Sequence, residues 1–322
     1  MNAKDIRIVF MGTPEFAVPS LKALVEGGYN VVGVVTMPDK PAGRGMKLQE
    51  SDVKRAAKEL GITTILQPEK LRDEEFLEAL RALQPDLGIV IAFRMLPEVV
   101  WAMPRFGTFN LHASLLPEYR GAAPINWAII NGDKESGNTT FLLNHEIDKG
   151  AIIGQQRTPI GDEECVGDLY DRLMTMGAEL VVESVEKIAS GDITPIEQPQ
   201  EDENLRPAPK IFKDMCEVDW NAQGVRIVNF VRGLSPYPAA WSILKRGEEE
   251  LSVKIFKARF EEKQHSYAVG TIVTDNKTYI KVACEDGLVA IEELQVAGKK
   301  RMAVRDLLLG LNLDADDHFK AN

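Results

Sequence analysis

Apolar residues lie along this chain in short unbroken blocks, separated by stretches where they recur at helical spacing. Residues 7–12 (RIVFMG) form a β-branched apolar run; Thr13-Pro14 then opens a segment with apolar Phe16, Leu21 and Leu24 that closes at Gly27-Gly28. The alternation continues with strands over 31–36 (VVGVVT), 64–67, 87–93 (LGIVIAF) and 108–112, and helices over 51–60, 73–83 and 97–103. Strands without polar alternation are buried on both faces, and strands separated by amphipathic helices pair in parallel. The pattern therefore predicts an α/β, doubly wound, mostly parallel sheet.

The pattern changes at 139. TTFLLN and AIIGQQRTPI are two strand-like runs joined across His145 to Gly150, and a long helix over about 165–189 follows. Residues 191–209 (GDITPIEQPQEDENLRPAP) are proline-rich, acidic and without apolar periodicity, which reads as a linker. Beyond it a helix over 222–234 precedes the strand signals AAWSILK, LSVKIFKARF, AVGTIVTD, TYIKVAC and GLVAIEELQV, spaced as a small barrel requires. The expected domains are residues 1–190 and a mostly β domain over 210–322, joined by 191–209.

Composition refines this picture. At 322 residues, 44% hydrophobic and 27% charged, the chain is long enough for two separate cores. Residues 205–322 hold 18 Lys+Arg against 17 Asp+Glu; the remaining 20 and 32 of the totals 38 and 49 leave residues 1–204 at −12 of the overall −11. Within that acidic part, residues 38–58 (PDKPAGRGMKLQESDVKRAAK) carry six basic residues against three acidic ones, and Gly43 and Gly45 flank Arg44. This basic island is a candidate phosphate-contacting loop through Lys40, Arg44 and Lys47; a solvated loop is the alternative. Cys165, Cys216 and Cys284 are odd in number and widely spaced, which reads as reduced packing residues. No apolar run approaches the ~20 residues of a bilayer span, and the first residues run straight into a strand rather than a signal peptide. A cytoplasmic monomer without membrane contact is the expectation.

The candidate chemistry lies at the end of the 108–112 strand, in FNLHASLLPEYRGAAPINW (109–127). Ligands of open parallel sheets bind beyond the carboxyl ends of strands, and alternation places Asn110 and His112 on one face. An amide that donates to an oxyanion and an imidazole that moves a proton suit addition to a carbonyl. The plainer alternative is that Asn110 caps the next turn and His112 is a hydrogen-bonded core histidine. Ser114-Leu115-Leu116-Pro117 reads as a rigid turn whose backbone groups are free to contact a flat heterocycle. Asp148, in the tight HEIDKG connection, is the strongest candidate to orient the imidazole, with Glu146 and His145 as nearby competitors and a structural turn aspartate as the plainer alternative. His145, His112 and Asp148 lack a recognised metal spacing, so no metal is expected. Gly12-Thr-Pro-Glu-Phe-Ala lacks Gly-x-Gly-x-x-Gly, which disfavours a dinucleotide cofactor.

Along nearly its whole length the chain resembles the methionyl-tRNA formyltransferase family. The resemblance runs through RIVFMGTPEFAVPSL, TMPDKPAGRGMKL, FNLHASLLPEYRGAAPINWAIINGD, IDKG, APKIFK with VDW, VRGLSPYPAAW, and GKKRM followed by LLLG. It implies a Rossmann-like formyltransferase domain, an OB-like C-terminal barrel that holds tRNA, and transfer of a formyl group from 10-formyltetrahydrofolate to the amino group of initiator methionyl-tRNA. It implies Asn110, His112 and Asp148 as the catalytic set, Ser114, Leu115, Leu116 and Pro117 as folate contacts, and Lys40, Arg44 and Lys47 as tRNA contacts. The chain departs from the commoner family pattern at Phe93-Arg94-Met95, where a small turn is usual, at Ser51-Asp52-Val53-Lys54, and at FLLNHE (141–146). The rival readings are a sugar-nucleotide formyltransferase or another formyltetrahydrofolate enzyme, and a non-catalytic RNA-binding protein on the same scaffold.

Overall fold

The computed structural model describes residues 2–42, 47–199 and 204–321. The first elements are β1 (Ile8–Gly12), α1 (Val18–Glu26), β2 (Val31–Val35), β3 (Lys40–Ala42), β4 (Lys47–Gln49), α2 (Asp52–Glu59), β5 (Ile65–Leu66) and α3 (Glu74–Ala82). They are followed by β6 (Leu87–Ile91), α4 (Glu98–Trp101), β7 (Thr108–His112), α5 (Pro124–Ile130), β8 (Glu135–Leu142), β9 (Ile152–Pro159) and α6 (Val166–Ser190). The remainder holds α7 (Gly224–Leu234), β10 (Ala240–Arg246), β11 (Glu249–Glu262), β12 (Ile272–Thr274), β13 (Ile280–Ala283), β14 (Gly287–Val296), β15 (Met302–Ala303), α8 (Val304–Leu308) and β16 (His318–Phe319).

The chain divides into two compact units: Met1–Gly121, Ser136–Thr158 and Tyr170–Pro207 form the first, and Ala122–Glu135, Pro159–Leu169 and Ala208–Asn322 the second. The proline-rich segment expected as a linker is thus shared out by its contacts: residues up to Pro207 belong with the first unit, and the rest with the second.

The first unit is built on a sheet in the order β5-β2-β1-β6-β7-β8-β9. β1 is parallel to β2 and β6, and β6 to β7, whereas β7 and β8 are antiparallel. Every residue of β1 and β6 is buried, as their unbroken apolar runs predict. The strand order reverses between β1 and β6, and such a switch point opens a crevice beyond the carboxyl ends of the strands. At that end Gly12 is needed for packing: a Cβ there would lie 2.9 Å from Ala17 Cβ. The first helix starts only at Val18, after a 3-10 turn over Glu15–Ala17, because Pro14 and Pro19 limit its hydrogen bonding. At α2, Asp52 stands in the first turn, where carboxylates are favoured, and the Ser51 side chain caps the helix by accepting from Lys54 N–H at 3.0 Å.

The second unit carries an antiparallel sheet, β12-β13-β14-β11-β10-β16, with β15 paired to β14. It nearly closes on itself, because a bridge joins Thr271 to His318 and Phe319 N–H donates to Gly270 O at 2.9 Å. Trp220, Val253, Ile255, Val289 and Leu294 fill it together with Ile227 and Val231 of α7. Trp220 is fully buried, and its indole N–H is satisfied by Ser242 Oγ at 2.9 Å. The periodicity did not reveal α8 or β16, which are too short to carry a repeat, and AVGTIVTD supplies only the three-residue β12.

Candidate functional site

β7 ends at His112, and its two-residue repeat puts Asn110 and His112 on the same face. Strand pairing fixes their depth: Asn110 lies opposite Val90 of β6 and Phe141 of β8, and His112 opposite Thr139. The half-buried Asn110 side chain makes no hydrogen bond to the described residues. Its amide is therefore not a cap for the next turn.

His112 is 6% exposed, and its Nε2 lies 2.9 Å from the carbonyl oxygen of Tyr119. A carbonyl only accepts, so Nε2 carries a hydrogen, and in the neutral ring Nδ1 is the nitrogen with the lone pair. Nδ1 faces Asp148 Oδ2 at 4.0 Å, and Oδ2 in turn accepts the Gly121 N–H at 2.9 Å. Tyr119 and Asp148 both have positive φ, +61° and +55°, a region costly for residues with a side chain. The loop 119–121 thus holds the imidazole by one residue and the carboxylate by another. After Asp148, the chain must pass against β8: a Cβ at Gly150 would sit 1.6 Å from Leu142 O.

The turn 114–117 lies beside this pair but is more self-contained than its sequence suggests. Thr139 Oγ1 donates to Ser114 O at 2.7 Å and accepts from Leu116 N–H at 3.1 Å, while Gln155 Nε2 donates to Leu116 O at 2.8 Å. Ser114 Oγ donates to Glu118 O at 2.7 Å. The Ser114 carbonyl and the Leu116 N–H and carbonyl, expected to be free, are therefore occupied within the protein, and Leu115 and Pro117 are left half-buried at the surface of the turn.

After β6, the unusual Arg94 ties its loop to the one after β5 by donating Nη1 to Glu69 O at 2.7 Å and Nη2 to Pro68 O. Its Nε is buried without a partner among the described residues, and burial pulls the guanidinium below its ordinary pKa. His145 goes elsewhere: it is exposed, lies 3.6 Å from Glu98 and packs edge-on to Trp101.

The basic island forms a small hairpin in which Lys40 of β3 pairs with Gln49 of β4. Arg44 lies outside the described residues, as does the Lys47 side chain. Three of its cations are engaged locally, since Lys54 reaches Asp39 at 2.6 Å, Arg55 reaches Asp52, and Lys58 reaches Glu50. The Lys54 hydrogen bond, with Gln67 also donating, holds the Asp39 carboxyl below its usual range. Lys40 is exposed and carries no ion pair among the described residues.

Sequence reasoning missed Gln198, which lies in the segment read as a linker. It is buried and touches the Asp148 turn directly. Nothing in its proline-rich surroundings marks it out. The Gly121 N–H and Tyr119 carbonyl were equally invisible, being backbone groups.

The switch-point sheet and the small barrel that follows it correspond to the two domains of the formyl transferase class. The family model described as formyl transferase matches residues 6–185, and that described as formyl transferase, C-terminal domain, matches residues 210–312. The methionyl-tRNA formyltransferase of Parabacteroides distasonis is 59% identical over 98% of this chain and 99% of its own, and that of Bacteroides thetaiotaomicron 58% identical over 100% of both. The chain belongs to the methionyl-tRNA formyltransferase family. Among solved structures, a sugar 3N-formyl transferase crystallised with dTDP and 5-N-formyl-THF shares the fold, with a TM-score of 0.65 at 20% identity over 92% of this chain and 99% of that one. No helix among the described residues is long and apolar enough to cross a membrane.

Proposed function

We propose that this chain transfers the formyl group of 10-formyltetrahydrofolate to the amino group of methionyl-tRNA, giving N-formylmethionyl-tRNA. The observation that carries the chemistry is the juxtaposition of Asn110 and His112 on one strand face with Asp148 opposite His112 Nδ1 at 4.0 Å. The neutral amine attacks the formyl carbon, and the carbonyl electron pair moves onto oxygen. Asn110 Nδ2 donates to that developing oxyanion with an amide that no described protein group competes for. His112 Nδ1 takes the proton released by the attacking nitrogen, and the imidazolium so formed faces the Asp148 carboxylate. Collapse of the tetrahedral intermediate breaks the bond from carbon to the folate N10, which leaves with the proton returned from Nδ1.

The same proposal assigns the Ser114–Pro117 turn to the wall of the folate site. Because the Ser114 carbonyl and the Leu116 backbone groups have internal partners, the half-buried Leu115 and Pro117 are the better candidates for donor contact. Lys40, Arg44 and Lys47 are assigned to tRNA phosphates, and Lys40, exposed and without an ion pair among the described residues, supports that reading. Residues 1–190 then supply formyl transfer and residues 210–322 a tRNA-holding barrel.

The test offers purified protein 10-formyltetrahydrofolate with either methionyl-tRNA or an amino-sugar nucleotide, and identifies the amine that acquires the formyl group. Formylation of the amino sugar alone would overturn the reading in favour of the sugar enzymes, and formylation of neither would revive a binding protein.

A further inference from the structure

We infer that Gln198 is a positioning residue for formyl transfer, holding the backbone of Asp148 so that its carboxylate stays opposite His112. The inference rests on the reading of His112 and Asp148 given above, and it concerns a residue outside that set.

The chain reaches this place by a short strap. After α6, Ile196 pairs with Ile152 through two backbone hydrogen bonds of 2.8 and 2.9 Å, which brings Gln198 against the Asp148–Gly150 turn. Gln198 is 4% exposed, and both ends of its amide are engaged. Nε2 donates to Asp148 O at 3.0 Å and to Gly150 O at 2.7 Å, bridging the turn from one end to the other. Oε1 accepts from Arg120 Nη2 at 2.9 Å and Nε at 3.3 Å, and Arg120 Nη2 also donates to Pro199 O at 2.9 Å. A guanidinium only donates, so it fixes which way the amide points and leaves both hydrogens of Nε2 for the two carbonyls.

The contacts close a ring. Gln198 grips the Asp148 carbonyl, the Asp148 carboxylate grips the Gly121 N–H, and Arg120, the residue before Gly121, returns to Gln198. Tyr119, the residue before Arg120, supplies the carbonyl that orients His112. One buried amide therefore sets the relative position of the two groups whose separation matters for proton transfer. It does so where the need is greatest, since Asp148 sits at φ +55°, which its own backbone disfavours. Without Gln198 the Asp148 and Gly150 carbonyls lose these donors, and the turn is free to relax toward ordinary dihedral angles.

The experiment compares wild-type protein with Gln198→Leu, which keeps the volume and loses the hydrogen bonds, and Gln198→Glu, which keeps an acceptor for Arg120 but turns an oxygen toward two carbonyls. Single-turnover formylation of methionyl-tRNA, affinities for both substrates and Tm are measured for each. We expect the transfer rate to fall about 10–100-fold in both variants, with both affinities within threefold of wild type. In an Asp148→Asn background Gln198→Leu should change the residual rate less than twofold, because the group it positions is already lost. If Gln198→Leu fails to fold, the same comparison is made with Gln198→Asn, which keeps the amide one methylene short. Full activity in either folded variant, a loss confined to substrate affinity, or an equal further loss in the Asp148→Asn background overturns the inference. Failure of the function reading is distinguishable, because there wild-type protein itself does not formylate methionyl-tRNA, or Asp148→Asn is fully active.

Discussion

Replacing Asn110 by alanine separates chemistry from folding more cleanly than any other substitution in the site. The Asn110 amide has no hydrogen bond to the described residues, so its removal orphans no partner, and the strand pairing with Val90 and Phe141 depends on backbone atoms alone. The expected stability cost is about 1 kcal/mol or less, a fall in Tm of roughly 2–4 °C for a domain of this size. In the transition state the loss is larger. Removing one donor from a developing oxyanion costs about 2.7–4 kcal/mol, or about 10²–10³ in turnover. Asn110→Asp should be slower still, because it sets a carboxylate where negative charge develops. Rapid-quench single-turnover formylation with enzyme in excess reads the chemical step, while equilibrium binding of folate and of methionyl-tRNA reads the ground state. A tenfold or greater loss of either affinity with a normal single-turnover rate would refute the role assigned to Asn110.

Two further substitutions test the supports of the site. Gly150→Ala should abolish folding of the first unit or lower its Tm by more than 10 °C, since the new Cβ would lie 1.6 Å from Leu142 O, and Leu142 is held there by its own N–H bond to Ala151 O; a soluble variant with wild-type Tm would contradict the packing. At the base of the hairpin, the Lys54 hydrogen bond holds the Asp39 carboxyl below its ordinary 3.8, so the linkage is complete above that pH and is lost only as pH falls through the lowered value. Lys54→Met should raise the Asp39 titration midpoint seen by carboxyl carbon NMR, and an unmoved midpoint would show that Lys54 is not the cause.

Much of the fold was legible because burial on both faces leaves a plain signature. The unbroken runs at 8–12 and 87–91 became the fully buried β1 and β6, and the Asn110–His112 spacing became a shared face through the two-residue period of β7. Where the period is too short to repeat, as in β16, or where proline interrupts the start of a helix, as at 14–19, the sequence pattern lost resolution. The basic island showed the limit of counting charges. Three of its four described cations are engaged by the three carboxylates that lie between residues 38 and 58, and only the three-dimensional arrangement reveals which.

By itself the sequence determined the class of the sheet and the barrel that follows it, and it nominated Asn110, His112 and Asp148 as candidates, because periodicity and residue type are local properties. Tertiary structure alone decided how these groups are held. The imidazole tautomer depends on the carbonyl of Tyr119, the carboxylate on the N–H of Gly121, and the Asp148 turn on Gln198, fifty residues further along in a segment that looked like a linker. Backbone groups are the same at every position, so no residue pattern announces which of them will orient a side chain. Only the folded path of the chain can select them.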